Sequence, residues 1–410
     1  MITGLKKVYL EFPRQFWIVV LVSFIDKVGG TLVFPFFALY VTQKFHVGMT
    51  QAGIVLGIIS FSSFVGGIIG GAVTDRLGRR KPILFGLVFS AFSSLTLGFA
   101  NNFRMLYPLG VLIGLLSDVG GPAHGAMIAD ILPERQRQDG FGILRVAGNI
   151  AWIIGPTIGG FVASRSFLAV FIMDAVVSSI VAVLFYFLMP ETRPATAAEH
   201  HEASFLATFG NYRVALRDKP YLAFLAAGML MGLVYIQMYN SLSVFLRNVH
   251  GIPPQRYGLL LSVSAVTVIL FQFRTLRAIK GQPMFLLMAA GTLFYMVGFG
   301  TFGFASAYWL FAAAIVIITI GEMITFPIGQ ALASCFAPTQ MRGRYMAVYE
   351  LTGKFPATFG PAAAGVIIDN FNPVLLWYGG AIHCAVSALG FYVLHTRIGG
   401  SPRFSGAPSG

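Results

Sequence analysis

The 410-residue chain is 56% hydrophobic, 14% aromatic and only 10% charged, whereas an ordinary soluble domain carries roughly a quarter charged residues. This composition excludes a soluble globular protein and a disordered one, since apolar surface is in excess everywhere. Two cysteines, Cys335 and Cys384, cannot build a disulfide framework or a cysteine-rich zinc site. The 28 Lys and Arg against 15 Asp and Glu leave a net charge of +13, which signals either a nucleic-acid surface or the orientation of a membrane chain.

The basic start, with Lys6, Lys7 and Arg14, leads into an apolar stretch longer than a signal sequence and without a small-residue cleavage pattern, so it is read as retained. Runs free of Asp, Glu, Lys and Arg follow at 47–74, 82–103, 146–164, 220–246, 323–341 and 370–396. About 20 apolar residues cross the hydrocarbon core. The run 281–321 is too long for one span and is expected to turn at Phe302-Gly303-Phe304-Ala305-Ser306. In chain order twelve helices are predicted, over 14–42, 50–74, 82–100, 105–131, 140–164, 167–189, 220–247, 256–274, 283–302, 307–335, 344–368 and 372–395. The segment 190–219, opening Pro190-Glu191-Thr192-Arg193-Pro194, is read as a cytoplasmic linker between an N-terminal six-helix bundle, 1–189, and a C-terminal one, 220–400. The Gly-, Ser- and Pro-rich tail 401–410 is expected to be disordered.

With this layout, 20 of the 28 basic residues fall on one side of the membrane. Lys27, Arg145 and Lys354 lie within helices. The asymmetry places both termini in the cytoplasm, and the expected home is the plasma (inner) membrane. Nothing is left over for a nucleic-acid surface, because no basic face interleaved with aromatics remains.

The two halves repeat. A shift of 205 residues superposes Gly53 on Gly258, Pro133 on Pro338, Arg137 on Arg342, Gly148 on Gly353, Gly155-Pro156 on Gly360-Pro361, and Gly160 on Gly365. Parallel repeats related by an axis along the membrane normal are a transporter architecture, with a site near midplane.

Between helices 2 and 3 the chain reads Gly71-Ala72-Val73-Thr74-Asp75-Arg76-Leu77-Gly78-Arg79-Arg80-Lys81. Glycines permit close helix approach and the basic cluster anchors the inner face. The pattern Gly-x-x-x-Asp-Arg-x-Gly-Arg-Arg resembles the signature loop of the major facilitator superfamily. Its counterpart at 274–280 keeps Arg274, Arg277 and Lys280 but lacks the aspartate and the glycines. Helix 5 carries Gly148 and then Gly155-Pro156-Thr157-Ile158-Gly159-Gly160, which by itself is a close-packing seam. It also resembles the antiporter motif of the twelve-helix drug:proton antiporter family. The resemblance spans helix 1 to helix 12. It implies two pseudo-symmetric six-helix bundles rocking about a central cavity, no cofactor, and proton-driven export of small lipophilic compounds. One departure is that helix 4, Gly110 to Pro122, lacks the arginine of that family, so that residue's proton-relay role has no bearer here.

Charges inside the bilayer are costly and mark function by default. Asp26 in helix 1, Asp118 in helix 4 and Glu322 in helix 10 are the proton-coupling candidates, since the resemblance implies that helices 1, 4, 7 and 10 line the cavity. Glu322 is read either as a proton carrier or as half of a buried ion pair with Lys354. Asp174 in helix 6 is read as a packing residue. Gly71, Asp75, Arg76, Gly78, Arg79, Arg80, Asp130 and Arg145 are read as an inner gate of charge-assisted hydrogen bonds, or more simply as helix caps and interfacial anchors. Tyr235, Gln237, Tyr239 and Asn240 of helix 7, with Phe34, Phe37, Trp152, Phe326 and Lys354, are substrate-cavity candidates for an amphipathic or aromatic compound.

Two motifs carry no function. Gly298-Phe299-Gly300-Thr301-Phe302-Gly303 fits a dinucleotide pattern but ends a membrane helix and follows no strand. Glu199-His200-His201-Glu202 has the wrong spacing for one helical face to bind metal. No Walker lysine motif supplies ATP drive. The expectation is therefore a monomeric transporter, not an enzyme, whose partners are a small-molecule substrate, protons and the lipid bilayer. The alternatives are a carrier for one metabolite, such as a sugar or amino acid, and a membrane sensor that transports nothing.

Overall fold

The computed structural model describes residues 9–117, 119–192, 214–338, 341–401 and 404, without the side chains of Asp75 and Gln138. Asp118, residues 193–213 of the expected linker, and most of the tail 401–410 lie outside the described residues. The described chain is helical. Its main elements are α1 (Arg14–Phe45), α2 (Met49–Leu77), α3 (Arg80–Phe99), α4 (Phe103–Ile131), α5 (Glu134–Ala163) and α6 (Phe167–Leu188). They continue with α7 (Lys219–Asn240), α8 (Pro254–Ala278), α9 (Met284–Phe302), α10 (Tyr308–Phe336), α11 (Arg342–Tyr349 with Leu351–Asn370) and α12 (Leu375–Ile398). Among the described residues, 11 helices are long and apolar enough to cross a membrane. α11 is the one outside that set; it is divided at Glu350 and carries Lys354, Pro356, Pro361 and Asp369.

Several spans expected as continuous helices are interrupted. α1 passes through a 3-10 turn at Phe34–Phe36, because Pro35 has no N–H to donate into the helix. α4 is split into Leu106–Ser117 and Gly121–Ile131, with Gly120, Gly121 and Pro122 at the restart. α7 ends its first segment at Tyr235 and resumes as Gln237–Asn240 and Leu242–His250. The turn expected at 302–306 does separate α9 from α10. Within the segment 401–410, the Phe404 ring is buried against Phe285 and Phe336, with centroids 5.2 and 4.8 Å away.

The chain forms two compact units. One holds α1, α2 from Ile58 onward, α3 to α6, and Pro253–Ser262 at the start of α8. In it α1 packs on α5 and α6, and α3 packs on α6. Phe16, Leu87, Met127, Val181 and Phe185 form its inner core. The other holds His46–Gly57, α7, α8 from Val263 onward, and α9 to α12. In it α7 packs on α11 and α12, and α9 packs on α12. Tyr221, Phe224, Phe285, Phe336 and Phe391 form its core. The second set of pairings is the first advanced by six helices, so the repeat seen in the sequence is a repeat of packing.

The repeat glycines are where backbones meet. A β-carbon on Gly258 would collide with the Pro156 carbonyl of α5, and one on Gly53 would collide with the Pro361 carbonyl of α11. Gly160 lies against Pro254 and Gln255, and Gly365 against Met49 and Thr50. Each contact of one unit therefore has its counterpart in the other, displaced by the same 205 residues. α2 is further held at its first turn, where the Asp369 carboxylate accepts from Met49 N at 2.9 Å, Thr50 N at 2.7 Å and Thr50 Oγ1 at 2.6 Å. Those amides have no partner within their own helix, and a carboxylate at a helix N-terminus also meets the positive end of its dipole.

Filling a backbone-to-backbone contact strains both helices, with a typical cost of about 1–3 kcal/mol. Gly258→Leu and Gly53→Leu should each lower the melting temperature of the purified protein in detergent. Gly148→Leu should leave it unchanged, because nothing lies within 4 Å of a β-carbon there. Fluorescence-detected thermal unfolding checks all three.

Candidate functional site

The loop after α2 is built on one left-handed residue. Gly78 has φ +85°, a conformation that costs a side-chain-bearing residue energy and glycine almost none. The turn presents Arg79 to Asp130 of α4, with Nε to Oδ2 at 3.0 Å and the two side chains 13% and 15% exposed. The Arg79 guanidinium also donates to the Thr74 carbonyl at 3.3 Å. Arg80 donates to the Tyr186 carbonyl at 2.5 Å and lies over the Tyr186 ring at 5.0 Å. Glu191 completes the cluster: its carboxylate accepts from the backbone N–H of Arg79 at 2.9 Å and of Arg80 at 3.1 Å, at the start of α3.

Of the expected gate residues, Arg79, Arg80 and Asp130 are thus brought together, with Gly78 as their hinge. Gly71 lies on α2 with open space beside it. Arg76 is exposed at the end of α2, and Arg145 is exposed on α5 and joins none of these bonds. The Asp75 side chain lies outside what is described. Glu191 was not singled out from the sequence. Its signal was present: a single acidic residue just after helix 6, at the same end of the helices as the basic loop.

The glycine motif of α5 serves two neighbours. Gly155 and Gly159 let α1 approach at Thr31 and Leu32, and Thr31 Oγ1 donates to the Ala151 carbonyl at 3.2 Å. Pro156 and Gly160 face the start of α8. There Ser262 Oγ donates to the Ile153 carbonyl at 2.8 Å and pairs with Thr157 Oγ1 at 2.6 Å. Gly148 makes no close approach. Nearby, Phe34 of α1 meets Trp152 of α5 edge-on, with centroids 6.4 Å apart. Asp26 is half-buried on α1 beside the exposed Lys27, and Phe37 is buried.

In the other unit, the interruption of α7 gathers a polar aromatic cluster. Tyr235 and Tyr239 share a hydrogen bond at 3.0 Å between their hydroxyls. Tyr235 stacks on Tyr295 of α9 at 5.6 Å and meets Phe326 of α10 at 5.5 Å. The Tyr295 hydroxyl pairs with Thr325 Oγ1 at 3.1 Å. Glu322, half-buried on α10, lies within electrostatic reach of Tyr235, Tyr239 and Tyr295. The cluster thus joins a carboxyl, three phenols and the 40% exposed ring of Phe326. Tyr295 and Thr325 were missed in the sequence, because nothing in an apolar helix marks which phenol will face a carboxyl on another helix.

Gln237 and Asn240 are turned into the protein. Gln237 donates to the Leu233 carbonyl at 2.9 Å and accepts from Ser241 Oγ at 2.6 Å. It lines a hollow of about 180 Å³ with Gly360, Trp377 and His383. Asn240 is 3% exposed. Lys354 is half-buried on α11.

Known proteins share this architecture. A Na(+), Li(+), K(+)/H(+) antiporter of Planococcus maritimus is 26% identical over 377 residues, covering 85% of this chain and 86% of its own. The multidrug resistance protein MdtH of Shigella dysenteriae serotype 1 is 23% identical over 353 residues, covering 85% and 86%. The crystal structure of the nucleoside transporter NupG superposes with a TM-score of 0.79 at 13% identity, covering 94% of this chain and 100% of its own; at that identity the likeness concerns the fold alone. The family model described as Major Facilitator Superfamily matches residues 19–361 and 282–409. With the repeated helix pairings and the loop hinged on Gly78, this match means that the chain belongs to the major facilitator superfamily.

Proposed function

We propose that this secondary transporter is a proton-coupled exporter of small lipophilic or drug-like compounds. In this reading it works as a monomer by alternating access in the plasma membrane, with both termini cytoplasmic and no cofactor. The observation that carries the reading is Glu322 among the hydroxyls of Tyr235, Tyr239 and Tyr295, next to the open face of Phe326. A carboxylate in hydrocarbon is costly to keep ionised unless it is satisfied. Phenol dipoles within electrostatic reach of the carboxyl ease its ionised form, and their rings supply apolar surface to a bound compound. Substrate occupies the site when Glu322 is ionised; a proton arriving from outside neutralises it and weakens that grip. Asp26 and Asp118 are proposed as further proton sites, and Phe34, Trp152 and Lys354 as further contributors to the cavity. Two relatives bear names that favour this direction of exchange, one for multidrug resistance and one for cation exchange against protons.

The cluster of Arg79, Asp130 and Glu191 is proposed as the inner gate. Its bonds tie the turn before α3 to α4 and to the end of α6. An ion pair so poorly solvated holds one arrangement of the helices firmly and must be released in another. The glycine seam of α5, Gly148 to Gly160, is proposed as the surface on which helices shift.

In proteoliposomes with an imposed pH gradient and a panel of dye substrates, Glu322→Gln should abolish gradient-driven transport while retaining the elution profile of a folded protein. Normal coupled transport by that variant removes Glu322 from the role. For the gate, a cycle of Arg79→Ala, Asp130→Ala and the double variant should yield a coupling of roughly 0.5–3 kcal/mol in thermal unfolding. Each single variant should also raise the passive leak of substrate.

A further inference from the structure

Asp174, on α6, is 4% exposed. One of its oxygens, Oδ2, accepts from Ser94 Oγ of α3. The other, Oδ1, is buried with no hydrogen-bond partner among the described residues. Oδ1 points at α1, where a β-carbon on Gly29 would come within 2.6 Å of it. Asp26 lies one turn before Gly29 and so shares that face of α1; it interacts electrostatically with Asp174. One turn on from Asp174, Ser178 Oγ donates to Ser90 Oγ of α3 at 3.4 Å. α6 packs on both α1 and α3 within one unit, and so carries the buried Asp174 between carboxylate and hydroxyl oxygens of its two neighbours. No ion pair to Asp174 occurs among the described residues; Lys27, the nearest cation on α1, is exposed and acts on Asp26.

From this arrangement we infer that Asp174 and Asp26, with the serine hydroxyls of α3 and α6, form a binding site for a dehydrated alkali cation of the sodium class. A buried carboxylate oxygen without a donor carries the full cost of desolvation, and a hard cation is the ligand that carboxylate and hydroxyl oxygens satisfy together. The charge on hand suits a single positive charge, because Asp26 already shares the field of Lys27. A transition-metal site is a poorer fit: no group of three or more His, Cys, Asp or Glu that could hold a metal occurs among the described residues. Gly29 has a specific part, since any side chain there would collide with Oδ1 and push it away from α1. The site goes beyond the exporter reading and does not depend on Glu322.

The test is binding, with no substrate and no gradient. The purified full-length protein in sodium-free choline buffer is titrated with sodium chloride, with choline chloride at matched ionic strength as control, by radioactive sodium binding and by thermal unfolding. Saturable sodium binding and a sodium-specific rise in melting temperature are expected. Asp174→Asn should abolish both, and Asp26→Asn, at a half-buried position, should weaken binding about tenfold, the factor that corresponds to 1.4 kcal/mol. Absence of sodium binding in the unaltered protein overturns the site, even if the carboxyls take up protons. So does a folded Asp174→Asn that binds as before. Should Asp174→Asn not fold, unchanged affinity in Asp26→Asn overturns it equally.

Discussion

The cost of a bare charge or an unpaired polar group in hydrocarbon governs this molecule. A chain with 10% charged residues has few charges to place, and each one inside a span must be surrounded. Glu322 lies among phenols and Asp174 takes the Ser94 hydroxyl, while at the exposed end of α11 Asp369 accepts from the first amides of α2. The same cost makes backbone irregularity local. α1 breaks at Pro35, α4 at Gly120-Gly121-Pro122 and α7 at Ile236, and such breaks persist in a membrane only where neighbouring protein groups re-satisfy the backbone.

Close approach is the second requirement, and glycine meets it. Apolar side chains gain little by leaving lipid for one another, so helix association rests on tight contact. Here the tightest contacts recur at the repeat interval: Gly258 against Pro156 and Gly53 against Pro361. Proline contributes indirectly. With no N–H at that position, the carbonyl one turn earlier loses its helical partner, and before Pro327 the Met323 carbonyl accepts from Gln272 Nε2 of α8 at 3.1 Å instead. A single sequence element thus creates a polar group and the gap through which another helix reaches it.

These constraints also explain what could be read from the sequence. Spans were legible because charge-free runs are set by membrane thickness, and the repeat was legible because glycine and proline are rare enough for a shared offset to stand out. Helix interruptions were less legible: Pro35 breaks α1, yet Pro156 and Pro327 sit inside unbroken helices, since the outcome depends on what the neighbouring helix offers the freed carbonyl. Partners across helices were illegible for a similar reason. Glu191 looked like the opening of a loop, and Asp174 like packing, because neither the amides of Arg79 and Arg80 nor the Ser94 hydroxyl is near them in sequence.

The two units repeat one packing scheme but differ in their embedded chemistry. α6 carries Asp174 at a buried position, whereas the residue 205 positions later, Gly379, borders the hollow lined by Gln237. α10 carries Glu322, whereas the residue 205 positions earlier is Ser117, at the broken middle of α4. Duplication therefore supplied the scaffold, and the carboxylates were placed on it unequally. Equal scaffolds give the two units the same helix contacts to rearrange, while unequal charges let an ion or substrate bias one unit's contacts and not the other's. A transporter needs both: matched halves so that two arrangements lie close in energy, and unmatched charges so that a bound species selects between them.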